Sequence, residues 1–97
     1  MPFFVKTEII KKEYLIKKDL RNIVINDHIN WIKKLKKKGV NIKSGFLVDE
    51  FQIPGAGGLL IIEMKTFKEA LQIVKNDPMI INDLVDWELN EWIDINH

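Results

Sequence analysis

The pattern of hydrophobic and polar positions changes period along the chain. In residues 2–9 every second position is largely apolar, which is typical of a β-strand. From about Asp19 apolar residues recur at three- and four-residue spacing, which predicts a helix that ends at Gly39. Residues 11–19, which lie between this strand and this helix, follow neither the two-residue nor the helical spacing of apolar positions. The inward face of this helix is expected to carry Leu20, Val24, His28, Trp31 and Leu35.

The second half of the chain predicts three strands and one helix. Residues 40–50 form a strand with a bulge at Ser44 and Gly45, residues 51–57 a turn, and residues 58–64 an apolar strand. Thr66 is followed three positions later by Glu69, a capping box that begins a helix. Pro78 ends that helix. Residues 79–84 predict a loop or short turn, and residues 85–95 the last strand.

The resulting order, βαββαβ, predicts one ferredoxin-like α+β domain over residues 1–97. Right-handed crossovers place both helices on one face of an antiparallel sheet. Residues 59–62, all leucine or isoleucine, offer apolar side chains to both faces. Because the helices cover only one face, we expect a homodimer packed sheet to sheet, as in a dimeric α+β barrel.

Composition narrows the class of protein. The chain has 97 residues, of which 46% are hydrophobic and 30% charged, the balance of a folded globular domain. It contains no cysteine, which excludes disulfides and thiolate zinc sites and fits a reducing compartment. No signal peptide is recognised, and no apolar run reaches the roughly 20 residues that span a bilayer. We therefore expect a cytoplasmic protein with no membrane partner.

Charge is divided unevenly along the chain although the net charge is only +1. Residues 1–48 contain 12 Lys and Arg against 4 Asp and Glu, whereas residues 49–97 contain 3 against 10. In an interleaved sheet these charges compensate. The lysine run at 33–38 is interpreted as a solvated helix face, and no nucleic-acid partner is expected.

His28 is the first side chain to examine for chemistry near neutral pH, because the only other histidine is the last residue. Its spacing from Val24 and Ile32 turns the ring inward. A packing role and a proton-handling role both remain open. Asp77 is a candidate partner: it follows a helix C-terminus, where the dipole disfavours an anion, and Pro78 makes it rigid. The alternative is an ordinary Asp-Pro turn.

Four other residues are candidates for a small-molecule site. Asp49 ends a strand beside a glycine turn and is either a second partner for His28 or a solvated strand end. Glu91 lies on the apolar phase of the last strand and is either a pocket carboxylate or a register break. Trp31 and Trp87 are packing residues or walls of a small aromatic pocket.

Other chemistries find no support in the sequence. The glycines at 55–58 precede a strand rather than a helix, so they do not predict a phosphate loop. One internal histidine with scattered carboxylates predicts no metal site. No cofactor is expected.

Several stretches in order resemble the YciI-like (YCII-related) proteins. The first two are DHINWIKKL, with a histidine in the first helix, and SGFLVDE, a strand with a glycine that leads to an acidic residue. The others are PGAGGLLIIEM, a glycine-rich turn before an apolar strand, KEALQIVKNDPMI, a helix that ends in Asp-Pro, and the final strand WELNEW. The resemblance implies a dimeric α+β barrel with a His–Asp pair in a pocket, here His28 with Asp77 first and Asp49 second. Many relatives carry an arginine a few residues before the histidine, whereas here the nearest is Arg21, seven before.

The resemblance implies a small-molecule enzyme, with elimination from small oxygenated aromatics such as dehydrochlorination. His28 would act as general base or acid on an unknown small ligand. The missing arginine leaves open a different substrate or no activity. A non-catalytic ligand-binding or accessory module on the same dimeric barrel is the main alternative. A haem or quinone monooxygenase is a third, supported only by analogy of fold.

Overall fold

One four-stranded antiparallel sheet organises the structure, a computed structural model that describes residues 1–96. Its strands lie in the order β2-β3-β1-β4, with β1 at Phe3–Ile10, β2 at Ile42–Val48, β3 at Pro54–Glu63 and β4 at Val85–Trp92. The helices are α1 (Lys12–Leu15), α2 (Lys18–Lys37), α3 (Phe67–Val74) and α4 (Pro78–Ile81). The predicted α+β, ferredoxin-like fold is confirmed. Residue 97, the end of the predicted domain, lies outside the described residues.

The two long helices, α2 and α3, pack on the same face of the sheet and enclose the core. The main cluster joins sheet and helix residues: Phe4, Ile32, Ile42, Leu60, Ile62, Ala70, Val74 and Leu89. A second cluster, made of Val24, Met79, Leu84 and Val85, packs where α4 meets α2 and β4. Thr66 Oγ1 accepts a hydrogen bond from the Glu69 N–H at 3.1 Å, so the predicted capping box begins α3.

The strand β1 presents a mixed face to the helices and a mostly apolar face away from them. Phe4, Lys6, Glu8 and Ile10 face the helices, whereas Phe3, Val5, Thr7 and Ile9 face the open side. No helix of residues 1–96 covers that open side. Its apolar surface continues onto neighbouring strands, because Val5 lies opposite Ile61 and Phe3 opposite Trp92.

Several predicted boundaries differ from the structure. The stretch without a clear period contains α1, and the loop or short turn predicted at 79–84 overlaps α4, a single helical turn with Pro78 in its first position. β3 begins at Pro54 and so includes the glycines assigned to a turn, and β4 ends at Trp92 rather than 95. The irregular register of β2 lies between Phe46 and Val48, not at Ser44 and Gly45.

Candidate active site

His28 lies in the middle of α2 with its ring turned towards the sheet. Val24 and Ile32, one turn before and after, are both buried, so the predicted inward direction of His28 is correct. Leu20, which was predicted for the same face, is 43% exposed. The His28 side chain is 13% exposed. Its Nδ1 is 2.7 Å from Asp77 Oδ1, and its Nε2 is 2.8 Å from Ser44 Oγ on β2. Both ring nitrogens therefore have hydrogen-bond partners.

Asp77 is fully buried and links α3 to α4. It is the N-cap of α4, and its Oδ1 accepts a hydrogen bond from the Met79 N–H at 2.9 Å. The expectation of an anion disfavoured by a helix dipole is therefore wrong. The chain turns so sharply at Pro78 that the carboxylate meets the first N–H groups of the next helix, where a negative charge is favourable.

Lys6 is the component of the site that the sequence analysis missed. Its side chain is 0% exposed, and its Nζ lies 2.5 Å from Asp77 Oδ2 and 2.5 Å from Glu8 Oε1. A buried lysine is rare unless it is paired, and here two carboxylates flank it. No local signal marked it, because the strand register that places Lys6 opposite Leu60 and Leu89 depends on contacts distant in sequence.

Competing effects act on the Asp77 carboxyl group. Burial alone would raise its pKa, but the hydrogen bond from His28 and the positive charge of Lys6 outweigh burial, and the pKa is lowered overall. Asp77 is therefore ionised over the whole neutral range, as a carboxylate that can only accept hydrogen bonds.

The ionised Asp77 determines which nitrogen of His28 carries the proton. Because Asp77 can only accept, Nδ1 of His28 must donate to it. A neutral ring then has no hydrogen on Nε2, which accepts the hydroxyl hydrogen of Ser44. The lone pair of Nε2 is thus the basic group of the site, and Ser44 marks the place where a hydroxyl group can meet it.

The other predicted site residues lie elsewhere. Asp49 is in the β2–β3 connection, where its Oδ1 accepts hydrogen bonds from the N–H groups of Phe51 and Ile53, at 2.8 and 3.0 Å. Glu91 is exposed near the end of β4, opposite Phe4. Neither carboxylate is a hydrogen-bond partner of His28, whose nitrogens are taken by Asp77 and Ser44.

The two tryptophans lie at different distances from this centre. The Trp31 ring is 5.8 Å from the His28 ring, centroid to centroid, and lines an open concavity of about 440 Å³ together with Asn30 and Pro78. Trp87 is half-buried between the two core clusters and lines a concavity of about 450 Å³ at one end of the sheet. His28 does not line either of these open concavities.

Two kinds of site are absent from the part of the chain that the structure describes. In residues 1–96 no three His, Asp or Glu side chains come together as ligands for a metal ion. None of the helices in this range is both long and apolar enough to cross a membrane.

Comparison with known proteins agrees with the predicted resemblance. The family model described as the YCII-related domain matches residues 3–93. A 5-chloro-2-hydroxyhydroquinone dehydrochlorinase (TftG) from Burkholderia phenoliruptrix AC1100, solved in complex with 2,5-dihydroxybenzoquinone, is similar in fold, with a TM-score of 0.70 and 20% identity over 94% of this chain and 93% of that one.

A second solved structure extends the likeness of fold. The de novo designed protein Ferredog-Diesel is similar with a TM-score of 0.54 and 10% identity, over 93% of this chain and 84% of that one. No curated protein matches this chain.

Proposed function

The chain belongs to the YCII-related domain family, and from that premise we propose that it is a small-molecule enzyme in which His28 acts as general base and acid. The observation that carries the proposal is the contact of 2.7 Å between His28 Nδ1 and the fully buried Asp77. A carboxylate in this position fixes the tautomer of the ring and stabilises the imidazolium that forms when Nε2 takes a proton.

The charge balance of the site supports a basic role for His28. With a neutral ring, Glu8, Lys6 and Asp77 together carry one negative charge in largely buried surroundings. Proton uptake by His28 brings the group to neutrality.

We propose small hydroxylated ring compounds as the substrate class. The similar dehydrochlorinase is named for such a compound and was solved with a dihydroxybenzoquinone. In the proposed elimination, Nε2 of His28 removes a proton from the substrate and a leaving group such as chloride departs with its bonding electrons. The hydroxyl of Ser44 shows the place that a substrate hydroxyl group would take.

We also propose that two copies of the chain pack through their open sheet faces. The face contains Phe3, Val5, Leu59, Ile61 and Trp92, with Trp92 55% exposed. Contiguous apolar surface of this kind is typical of a protein interface, and a second copy offers a matching surface through a twofold axis.

A binding module without catalysis is the second candidate. Both His28 ring nitrogens already have partners within the protein, and the two concavities described above are lined by other residues. In that case the pocket would hold a ligand while His28 maintained the structure.

Turnover by a His28→Gln variant separates the two candidates. A general base contributes about 10²- to 10⁴-fold to a rate, so we expect chloride release from a chlorinated hydroxyhydroquinone to fall by that factor. Asn26→Gln, an exposed change on the same helix, is the matched control and keeps the wild-type rate. Equal rates in the two variants, with His28→Gln folded, would contradict the catalytic proposal.

A further inference from the structure

Two charged residues and a glycine outside the His–Asp pair form a connected path to it. We propose that Lys6, held in place by Glu8 over Gly58, is a positioning residue that sets the orientation of Asp77 and the tautomer of His28. The proposal rests on the proposed function, since it concerns how the same site is prepared for proton transfer.

The first link is between Lys6 and Asp77. The carboxylate divides its contacts, because Oδ1 accepts from His28 and from the Met79 N–H while Oδ2 accepts from Lys6. The contact with Lys6 thus fixes the rotation of the Asp77 carboxylate and keeps Oδ1 directed towards His28. Without a positive charge nearby, a fully buried carboxylate is driven towards its protonated form, which no longer requires Nδ1 of His28 to be the donor.

The second link is between Glu8 and Lys6. A lysine side chain has four flexible carbon–carbon bonds and a compact ammonium group, so one contact does not fix it. Glu8 Oε1 provides the second contact at 2.5 Å, and the Glu8 side chain is only 9% exposed. Since residues 6 and 8 lie on the same face of β1, the strand itself places both groups side by side.

The third link is between Gly58, near the start of β3, and the Glu8 side chain. Gly58 lies opposite Glu8 in the sheet, and a Cβ added there would lie 3.0 Å from Glu8 Cγ and 3.2 Å from Glu8 Cδ. Gly57 has a φ of +95°, and a Cβ on it would collide with the Glu8 carbonyl oxygen. Glycine weakens a strand, but here it leaves the space in which the Glu8 carboxylate reaches Lys6.

A continuous series of contacts therefore connects Gly58 to His28. Gly58 leaves room for Glu8, Glu8 and Asp77 hold the ammonium of Lys6 between them, and Asp77 orients His28. This assigns a role to the glycine-rich stretch, which has no phosphate-binding geometry because a strand continues through it.

The experiment measures the tautomer of His28 directly, by ¹⁵N NMR of the full chain labelled in its histidine rings. In the wild type at pH 8.5, Nδ1 is expected to be protonated and Nε2 bare. In Lys6→Met we expect the ratio of this tautomer to the other to fall at least tenfold, with smaller falls in Glu8→Gln and Gly58→Ala. Only folded variants are compared, because a histidine ring that has lost its partners itself favours the Nε2–H tautomer.

Matched controls exist on β2, at the edge of the sheet. Lys43→Met removes an exposed lysine from β2, and Gly45→Ala adds a methyl group where nothing lies within 4 Å. Both should keep the wild-type ratio. If Lys6→Met does not fold, the comparison of Glu8→Gln and Gly58→Ala with Gly45→Ala decides. A wild-type ratio in every folded variant would overturn the proposal.

The inference and the proposed function fail in different ways. If the tautomer responds to Lys6, Glu8 and Gly58 but His28→Gln retains turnover, the positioning path stands and His28 is not the catalytic base. If His28→Gln loses turnover while the tautomer ignores all three substitutions, the catalytic proposal stands and the positioning path is wrong.

Discussion

Asp77→Asn is the substitution whose effect on stability follows most directly from the structure. Asparagine keeps the size of the side chain and an oxygen that can cap α4 through the Met79 N–H. It removes the negative charge between Lys6 and His28 and brings an NH₂ group into the position of one carboxylate oxygen. That group donates hydrogen bonds, and so do both the ammonium of Lys6 and Nδ1–H of His28.

The expected loss is large because both members of the ion pair are buried. Lys6 and Asp77 are each 0% exposed, and removing one partner of such a pair costs about 3–5 kcal/mol of folding free energy. Lys6 keeps Glu8 as a second partner, so we expect a loss at the lower end of this range. A domain of this size is stable by about 5–15 kcal/mol in total. With a urea slope of about 1–3 kcal/mol per molar, the unfolding midpoint should fall by about 2 M at pH 7.

The loss should also depend on pH in a defined direction. The pKa of Asp77 is lower in the folded protein than its ordinary value of 3.8, so folding favours the ionised form. The stability that this carboxylate contributes is fully present above that ordinary value. It is lost as the pH falls through the lower pKa of the folded state. The part of the difference between wild type and Asp77→Asn that comes from this carboxylate therefore shrinks below about pH 4.

Urea unfolding followed by tryptophan fluorescence at pH 7 and at pH 3 measures both effects. Asp83→Asn is the matched control, because Asp83 pairs with Lys11 but is 80% exposed and water screens the pair. Its φ of 53° is one that asparagine tolerates. A midpoint change in Asp77→Asn as small as in Asp83→Asn, or a difference from wild type that does not depend on pH, would refute the reasoning.

Two further substitutions test other parts of the site and the proposed dimer. Ser44→Ala removes one neutral hydrogen bond to His28, which a substrate hydroxyl group would replace, so we expect turnover to change by no more than about 12-fold. A loss as large as in His28→Gln would instead indicate that Ser44 reacts with the substrate. Ile61→Lys places a charge in the open sheet face, and analytical centrifugation should then find monomers where the wild type and the exposed-helix control Ile23→Lys form dimers. A monomeric wild type at micromolar concentration would rule out the dimer.

The sequence was sufficient to predict the order of the four strands and the two longer helices, and the direction of the His28 ring. Helical spacing determines the direction of each side chain on α2, and the apolar residues three and four positions from His28 indicated that spacing in the sequence. Asp77 was the first choice of partner, but for an incorrect reason. The Asp-Pro pair begins α4, and a four-residue helix has too short a pattern for periodicity to detect it.

Lys6 and Ser44 could not be predicted from local pattern. The alternation of Phe3, Val5 and Ile9 draws attention to one face of β1, whereas the face that packs on the helices includes a lysine. A lysine is placed inside only when carboxylates from elsewhere in the fold surround it, and Asp77 lies 71 positions away in sequence. Such a contact depends on the strand register and the packing of α4, which no local pattern contains.

The central claim is that Nε2 of His28 is the atom that exchanges a proton with a ligand. The most direct test adds 2,5-dihydroxybenzoquinone to the ring-labelled protein and follows both ¹⁵N resonances of His28. We predict that the bare Nε2 resonance moves towards the protonated range as the ligand binds, while Nδ1 stays protonated against Asp77. A ligand that binds without changing the Nε2 resonance would contradict the claim and leave His28 with a structural role.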